Sequence, residues 1–313
     1  MQDGVMRIRL PIFSFQQPCR KAVIYSLAIL SGVTTLFAEK KPLTVVIQSD
    51  DHLAVARQMV AAAFEAAGES VVFAPAPLAN EKRQLLMLEA GQTDIDIMPV
   101  TDVRLKSVAE GKSLMISVPL DRGLLGYRVC LLQEQDKDLL SDVKSAEDLR
   151  AFTMGQGEGW MDVAVYEAAG IPIKWVRDWR RGEFFGQMKS GYINLFPLGA
   201  EEILSYFLSH FQSIHPEIVA DQHIVIRYPW FRFVWISAAS PNAERIREAL
   251  QRGFEIIAKN GKFEEIWNAS SRGLPKDFFD GRRVIALKNP LYGDDIVGEE
   301  FRHLLLAEPF QEP

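Results

Sequence analysis

Thr101, Asp102 and Arg104 set a hydroxyl, a carboxylate and a guanidinium within one turn, directly after the apolar run 94–100. Thr101 reads as a helix N-cap, because its hydroxyl can accept from a free amide of the first turn. Arg104 then falls at the third helical position, where a capping box places Glu or Gln and the helix dipole favours an acid. A cation there costs about 0.3–1 kcal/mol locally. It also offers a planar fork for a carboxylate beside amides that already attract anions. Capture of an anionic group is therefore one chemistry for Arg104; an ion pair with Asp94 or Asp102, or a solvated side chain, is the other. A second cluster, GQGEGWMD at 155–162, lies between a strand and a helix. Its glycines let backbone amides approach a ligand. Asp178 lies roughly twenty residues on, as a dinucleotide fingerprint asks, but Trp160 stands where the third glycine would pack, and no Gly-Lys-Ser/Thr follows. The loop reads as a ligand contact, with Gln156 polar, Trp160 a stacking wall and Asp162 at its end, or as a tight turn with Trp160 in the core. Asp50, Asp51 and His52 lack the further ligand a metal site needs. Helix-start acids explain them, with Asp50 retained as a contact for an ammonium. No Gly-x-Ser-x-Gly, His-Glu-x-x-His or thiol–histidine pairing is present, so no nucleophile, metal or cofactor is assigned.

The elements that must position these residues alternate strand and helix. LTVVIQ, SVVFAPAP and DIDIMPV read as strands separated by helices at about 49–68 and 80–91, a βαβαβ unit with a parallel sheet. The pattern restarts after the apolar run 126–132, beginning at a Ser145/Asp148 capping box. A second aromatic apolar run, 223–237, is broken by Pro229 and followed by two helices. Two α/β units joined by two apolar crossings predict an α/β fold of two lobes. Ligands of such folds bind outside the carboxyl ends of the strands, in one cleft.

At this level the chain resembles the type 2 periplasmic solute-binding proteins of the family-3 group, which includes amino-acid receptors of ABC importers. AGQTDIDIMPVTDVR, SAEDLRAFTMGQGEG, MKSGYINLFPLGAEEI and AERIREALQRGFEIIAKNGKFEEIW carry the resemblance in order and spacing, over about residues 42–270. PLDRGLLGYRVCLL and RRVIALKNPLY are similar to a proteobacterial solute-binding-like branch, which commonly has Arg where this chain has Leu198. The resemblance implies each lobe is a mainly parallel sheet flanked by helices, with two crossover strands as hinge. It implies a leader at 1–38, lobe one from 39–127 and 227–313 with the C-terminal tail, and lobe two from 128–226. It implies that Arg104 grips a ligand carboxylate. The lobe-two Asp that usually holds an ammonium is absent: Asn194 and Gly199 occupy the corresponding places, with Glu201 and Glu202 nearby. Asp50, Thr101, Arg104, Tyr127, Gln156, Trp160, Asp162, Phe196 and Glu201 form the expected ligand-binding set. Most other aromatic residues are expected in the core.

Arg7, Arg9, Arg20 and Lys21 precede an uncharged run at 22–38, the layout of a secretory signal cleaved near Ala38, or of a retained anchor. Only Cys130 then remains, so no intrachain disulfide is expected. A net charge of −6 argues against general nucleic-acid binding, which needs a basic surface. The expectation is a periplasmic, monomeric, non-enzymatic protein that captures a small polar, anionic or amino-acid-like solute for an ABC permease or membrane sensor. An enzyme on the same fold and a ligand-free interaction module are the alternatives.

Overall fold

The computed structural model describes residues 41–77, 79–203, 207–270, 274–275 and 277–306. The expected leader at 1–38, with Cys19, lies outside the described residues. In chain order the first half gives β1 (Leu43–Ile47), α1 (Ala54–Ala66), β2 (Val71–Pro75), α2 (Glu81–Glu89), β3 (Ile95–Pro99), α3 (Asp102–Ala109) and β4 (Ser113–Ile116). The second lobe holds β5 (Tyr127–Gln133), β6 (Met154–Gly157), α4 (Val163–Ala168), β7 (Ile173–Val176), α5 (Glu183–Lys189) and β8 (Phe196–Gly199). Single turns α6 (Ala200–Glu202) and α7 (Leu208–His210) lead to β9 (Ile218–Ala220) and β10 (Ile224–Arg227). The chain returns through β11 (Arg232–Ser237), α8 (Ala243–Lys259) and α9 (Lys262–Ala269) before β12 (Arg283–Ala286).

The first sheet has the order β2-β1-β3-β11-β4, with β1 parallel to β2 and β3, and β11 antiparallel to β3 and β4. Ile95, Asp96, Ile97 and Met98 are all buried, as a central strand covered on both faces requires. The second sheet has the order β12-β10-β5-β8 with β9 also on β5; β6 and β7 pair in parallel, and β6 bridges to Leu195 just before β8.

Helix α8 buries Ile246, Ala249, Leu250, Gly253, Phe254 and Ile257 along one stripe. A Cβ on Gly253 would lie 1.9 Å from the Ala63 carbonyl oxygen, so α1 and α8 pack backbone to backbone there. Gly253→Ala is expected to cost about 1–3 kcal/mol or more through overpacking, read as a lower urea midpoint with an unchanged slope. An unchanged midpoint would show that the two helices can slide apart.

Two stretches carry the chain between the sheets, 117–126 and 228–231. Tyr228 N donates to Gly126 O at 3.1 Å and Leu120 N to Arg232 O at 3.1 Å, so they run side by side. The C-terminal tail corrects one expectation. Strand β12 does not join the first lobe but pairs in parallel with β10, covering what would otherwise be an open sheet edge. The tail then crosses back. Asn289 Nδ2 donates to Pro229 O at 2.9 Å, Tyr292 Oη to Val100 O at 3.1 Å and Gly298 N to Ser117 O at 3.1 Å. The connection between the lobes is thus three-stranded.

Asp121 sits in the first crossover and is 4% exposed. Its Oδ1 accepts from Gly123 N at 3.2 Å and Arg232 N at 3.4 Å, while Oδ2 has no partner among the described residues. Burial raises its pKa from 3.8 to about 6, with the charge of Arg232 opposing. A carboxyl raised on folding weakens the fold where it is ionised, above pH 6, and this penalty fades as pH falls from about 6 to 4. Asp121→Asn should therefore be about 2–3 kcal/mol more stable than wild type at pH 7.5, with the difference vanishing below pH ~4. Urea titrations across that range check this; a constant difference would show that the gain is not electrostatic.

Candidate functional site

The carboxyl end of β3, the start of β5, the loop after β6 and the turn after β8 surround a cavity of about 100 Å³. From the first lobe come Glu81 at the start of α2, Pro99 at the end of β3, Thr101 and Arg232; the second lobe supplies Arg128, Trp160, Met161, Asp162 and Glu202; Leu125 and Trp230 come from the crossovers. Local sequence explains these positions. Asn80 caps α2 by accepting from Arg83 N at 3.0 Å, which fixes Glu81 in the first turn. Thr101 caps α3 by accepting from Arg104 N at 3.4 Å. Gly157 leaves room for the Trp160 ring, since a Cβ there would fall 2.4 Å from it. Trp160 in turn packs against Trp179 and Phe196, with ring centroids 5.3 and 5.8 Å apart.

Of the expected ligand set, Thr101, Trp160 and Asp162 line the cavity. Arg104 does not. It is 2% exposed, and its Nη2 pairs with Asp96 Oδ2 at 2.5 Å. The guanidinium also lies over the Trp235 ring at 5.5 Å. The partner is neither Asp94 nor Asp102. Asp96 lies on β3, eight residues before Arg104, on the strand that leads into α3. Burial pushes the Asp96 carboxyl up, and Arg104 opposes that shift. The helix-start cation is thus paired within the first lobe, while its Nη1 and Asp96 Oδ1 are buried without a hydrogen-bond partner among the described residues.

The remaining expected residues stand elsewhere. Tyr127 is buried against Phe279, with ring centroids 5.4 Å apart, and Phe196 stacks on Phe184 at 4.3 Å. Gln156 is buried in β6, its amide without a hydrogen-bond partner among the described residues. Asp50 and Glu201 are half-buried and outside the cavity lining. The N-cap of α1 is Leu53, which makes no side-chain cap.

Arg128 is the residue that sequence reasoning missed and the cavity turns on. It is the second residue of β5, 6% exposed, with Nη2 2.8 Å from Asp162 Oδ2 and Nη1 3.5 Å from Glu202 Oε2. Asp162 Oδ2 also accepts from Tyr228 Oη at 2.6 Å, and Glu202 Oε2 from Gly199 N at 2.8 Å. Burial holds the Tyr228 phenol protonated, so it acts as donor. The available signal was a lone arginine inside the apolar run GYRVCLL. Glu81 and Arg232 were equally unmarked, because an acid in a helix's first turn reads as capping and Arg232 sits in an aromatic run.

Charge in the cavity is unevenly committed. Glu81 is exposed, yet partial desolvation by its surroundings raises its pKa, with Arg104 and Arg232 opposing and Asp162 and Asp96 reinforcing. A larger hollow of about 640 Å³ borders Glu134, Asp138, His223 and Arg282, but it draws on the second sheet's surroundings alone. Among the described residues no group of three His, Cys, Asp or Glu could hold a metal ion, and no helix is long and apolar enough to cross a membrane.

No protein-family model and no curated protein matches the chain. Solved structures do. A GluR0 ligand-binding core in complex with L-glutamate superposes with a TM-score of 0.51 at 10% identity, covering 74% of this chain and 98% of that one. Substrate-binding domain 2 of GlnP from Lactococcus lactis, in an open conformation, matches with a TM-score of 0.45 at 14% identity over 76% and 98%. An amino-acid ABC transporter substrate-binding protein from Streptococcus pneumoniae, bound to L-arginine, gives 0.47 at 13% over 72% and 92%. At such identities the likeness speaks of fold, and the GluR0 match gives this chain the two-lobed binding fold expected from its α/β pattern.

Proposed function

We propose that the protein is a solute-binding protein that holds a small polar solute between its lobes. The observation that supports this best is the cavity itself. Both lobes and both crossovers line it, so relative movement of the lobes opens or shuts it. Its volume lies below the roughly 300–1,000 Å³ of usual ligand sites, so the lobes must part to admit a solute. The lining offers no thiol, lysine or histidine, and most of its charged groups are engaged with one another, which favours binding over catalysis. The likeness to a glutamate-bound core suggests an amino-acid-like solute. The partner would be an ABC importer permease or a membrane sensor, and the site of action extracytoplasmic, after removal of residues 1–38. Native mass spectrometry of gently purified protein tests the reading: it expects a mass increment from a retained small molecule, released on denaturation and reacquired from a small-molecule extract of the cells. A protein that acquires nothing would favour the interaction-module alternative. Turnover of the retained molecule would favour the enzyme.

A further inference from the structure

The tail that follows β12 is fastened at its two ends to different lobes. At its start β12 pairs with β10, and Leu287 N donates to Arg227 O at 2.8 Å. At its end Gln251 Nε2 donates to Glu300 Oε1 at 2.8 Å and His303 Nε2 lies 3.3 Å from Ala258 O, both on α8 of the first lobe. Phe301 and Leu304 are buried there. Between these points the tail touches both crossovers, through Asn289 Nδ2 on Pro229 O and Gly298 N on Ser117 O. Tyr292 is where it meets the cavity wall. Its ring stacks on Trp230 with centroids 6.4 Å apart and planes 20° apart, and tilts against Phe231 at 6.3 Å. Its hydroxyl donates to Val100 O at 3.1 Å. Trp230 lines the cavity, as do Pro99 and Thr101 on either side of Val100.

We propose that residues 287–298 are a third hinge strand, with Tyr292 as its catch, and that it holds the lobes near the closed arrangement before any solute is bound. A hinge opens by changing the backbone torsions of a few residues. Residues 229–231 cannot turn without carrying two aromatic rings away from Tyr292, and the end of β3 cannot swing clear of the tail without breaking the bond at Val100. The open arrangement therefore forfeits contacts that the closed one makes, and its population falls by the corresponding factor. The tail supplies part of the closure that a solute would otherwise have to drive, which is pre-organisation of the cavity. The device acts on the empty protein, so it stands or falls independently of which solute the cavity takes.

The test uses the full chain, stripped of solute, in a Cys19→Ser background with spin labels on Arg83→Cys in α2 and Glu158→Cys in the loop after β6. Pulsed electron–electron resonance compares three forms. One keeps Tyr292, one carries Tyr292→Phe, and one has a protease recognition sequence inserted after Leu291, which is 41% exposed, and is measured before and after cutting in the folded state. Circular dichroism on each form separates lobe movement from unfolding. Tyr292→Phe keeps the ring contacts and loses the hydroxyl bond. It is expected to raise the ratio of long to short distances by about 2–12-fold, the range for one net hydrogen bond. Cutting after Leu291 is expected to raise that ratio as well, with helix content unchanged. An unchanged distribution after cutting overturns the third hinge strand, and an unchanged one in Tyr292→Phe overturns its catch. Every arm is read without solute, so failure here is distinct from failure of the solute-binding reading.

Discussion

Arg104→Met is expected to lose about 3–5 kcal/mol of stability, because it leaves the buried Asp96 without its counter-ion. The loss should be the same with and without solute, since Arg104 is not among the residues lining the cavity. It should shrink at low pH, where the stranded Asp96, already pushed up by burial, takes a proton instead of bearing an uncompensated charge. The double variant Asp96→Leu/Arg104→Met should recover most of the stability, as buried pairs replaced by apolar groups of similar volume often do. Urea unfolding of the two variants at pH 7 and pH 5 checks this. A stable Arg104→Met protein with weakened solute binding would return Arg104 to the ligand.

Arg128→Met should also be costly, by about 3–5 kcal/mol at neutral pH, because Asp162 would keep only Tyr228 and Glu202 only Gly199 N. Its signature differs from that of Arg104. Arg128 touches the cavity, so its removal leaves three acids facing one cation there. The variant should gain affinity for butylamine over butanoate relative to wild type, measured by calorimetry alongside the melts. Loss of stability with no change in that preference would show that Asp162 and Glu202 stay closed to solutes.

The fold was legible because it depends on periodicity. The strands β1 to β3 and the helices between them announce themselves as apolar runs punctuated by Gly68 and Gly91, and Thr101 caps α3 as its residue type predicts. The two crossings were visible as apolar segments around Tyr127 and Tyr228. The place of β12 was not, since four residues reading RVIA carry no mark of which sheet edge they will cover. The site was less legible for a physical reason. Its behaviour depends on which charges find partners within the chain, and a pairing such as Arg128 with Asp162, or Arg104 with Asp96, is a property of three-dimensional register. The helix-start cation was correctly marked as unusual, but the local sequence held several acids that could answer it.

The central claim is that two lobes close on a solute, and an inter-lobe distance tests it most directly. Cys130 is buried and its thiol pushed up by burial, so labels can be placed on cysteines introduced at exposed positions, by Arg83→Cys in α2 and Glu158→Cys in the loop after β6. Pulsed electron–electron resonance between spin labels there, on solute-stripped protein and after addition of the released solute, reads the cleft width. The account predicts a longer or broader distribution without solute that contracts to one shorter distance when solute is added. An identical distribution in both samples, with solute bound, would contradict closure.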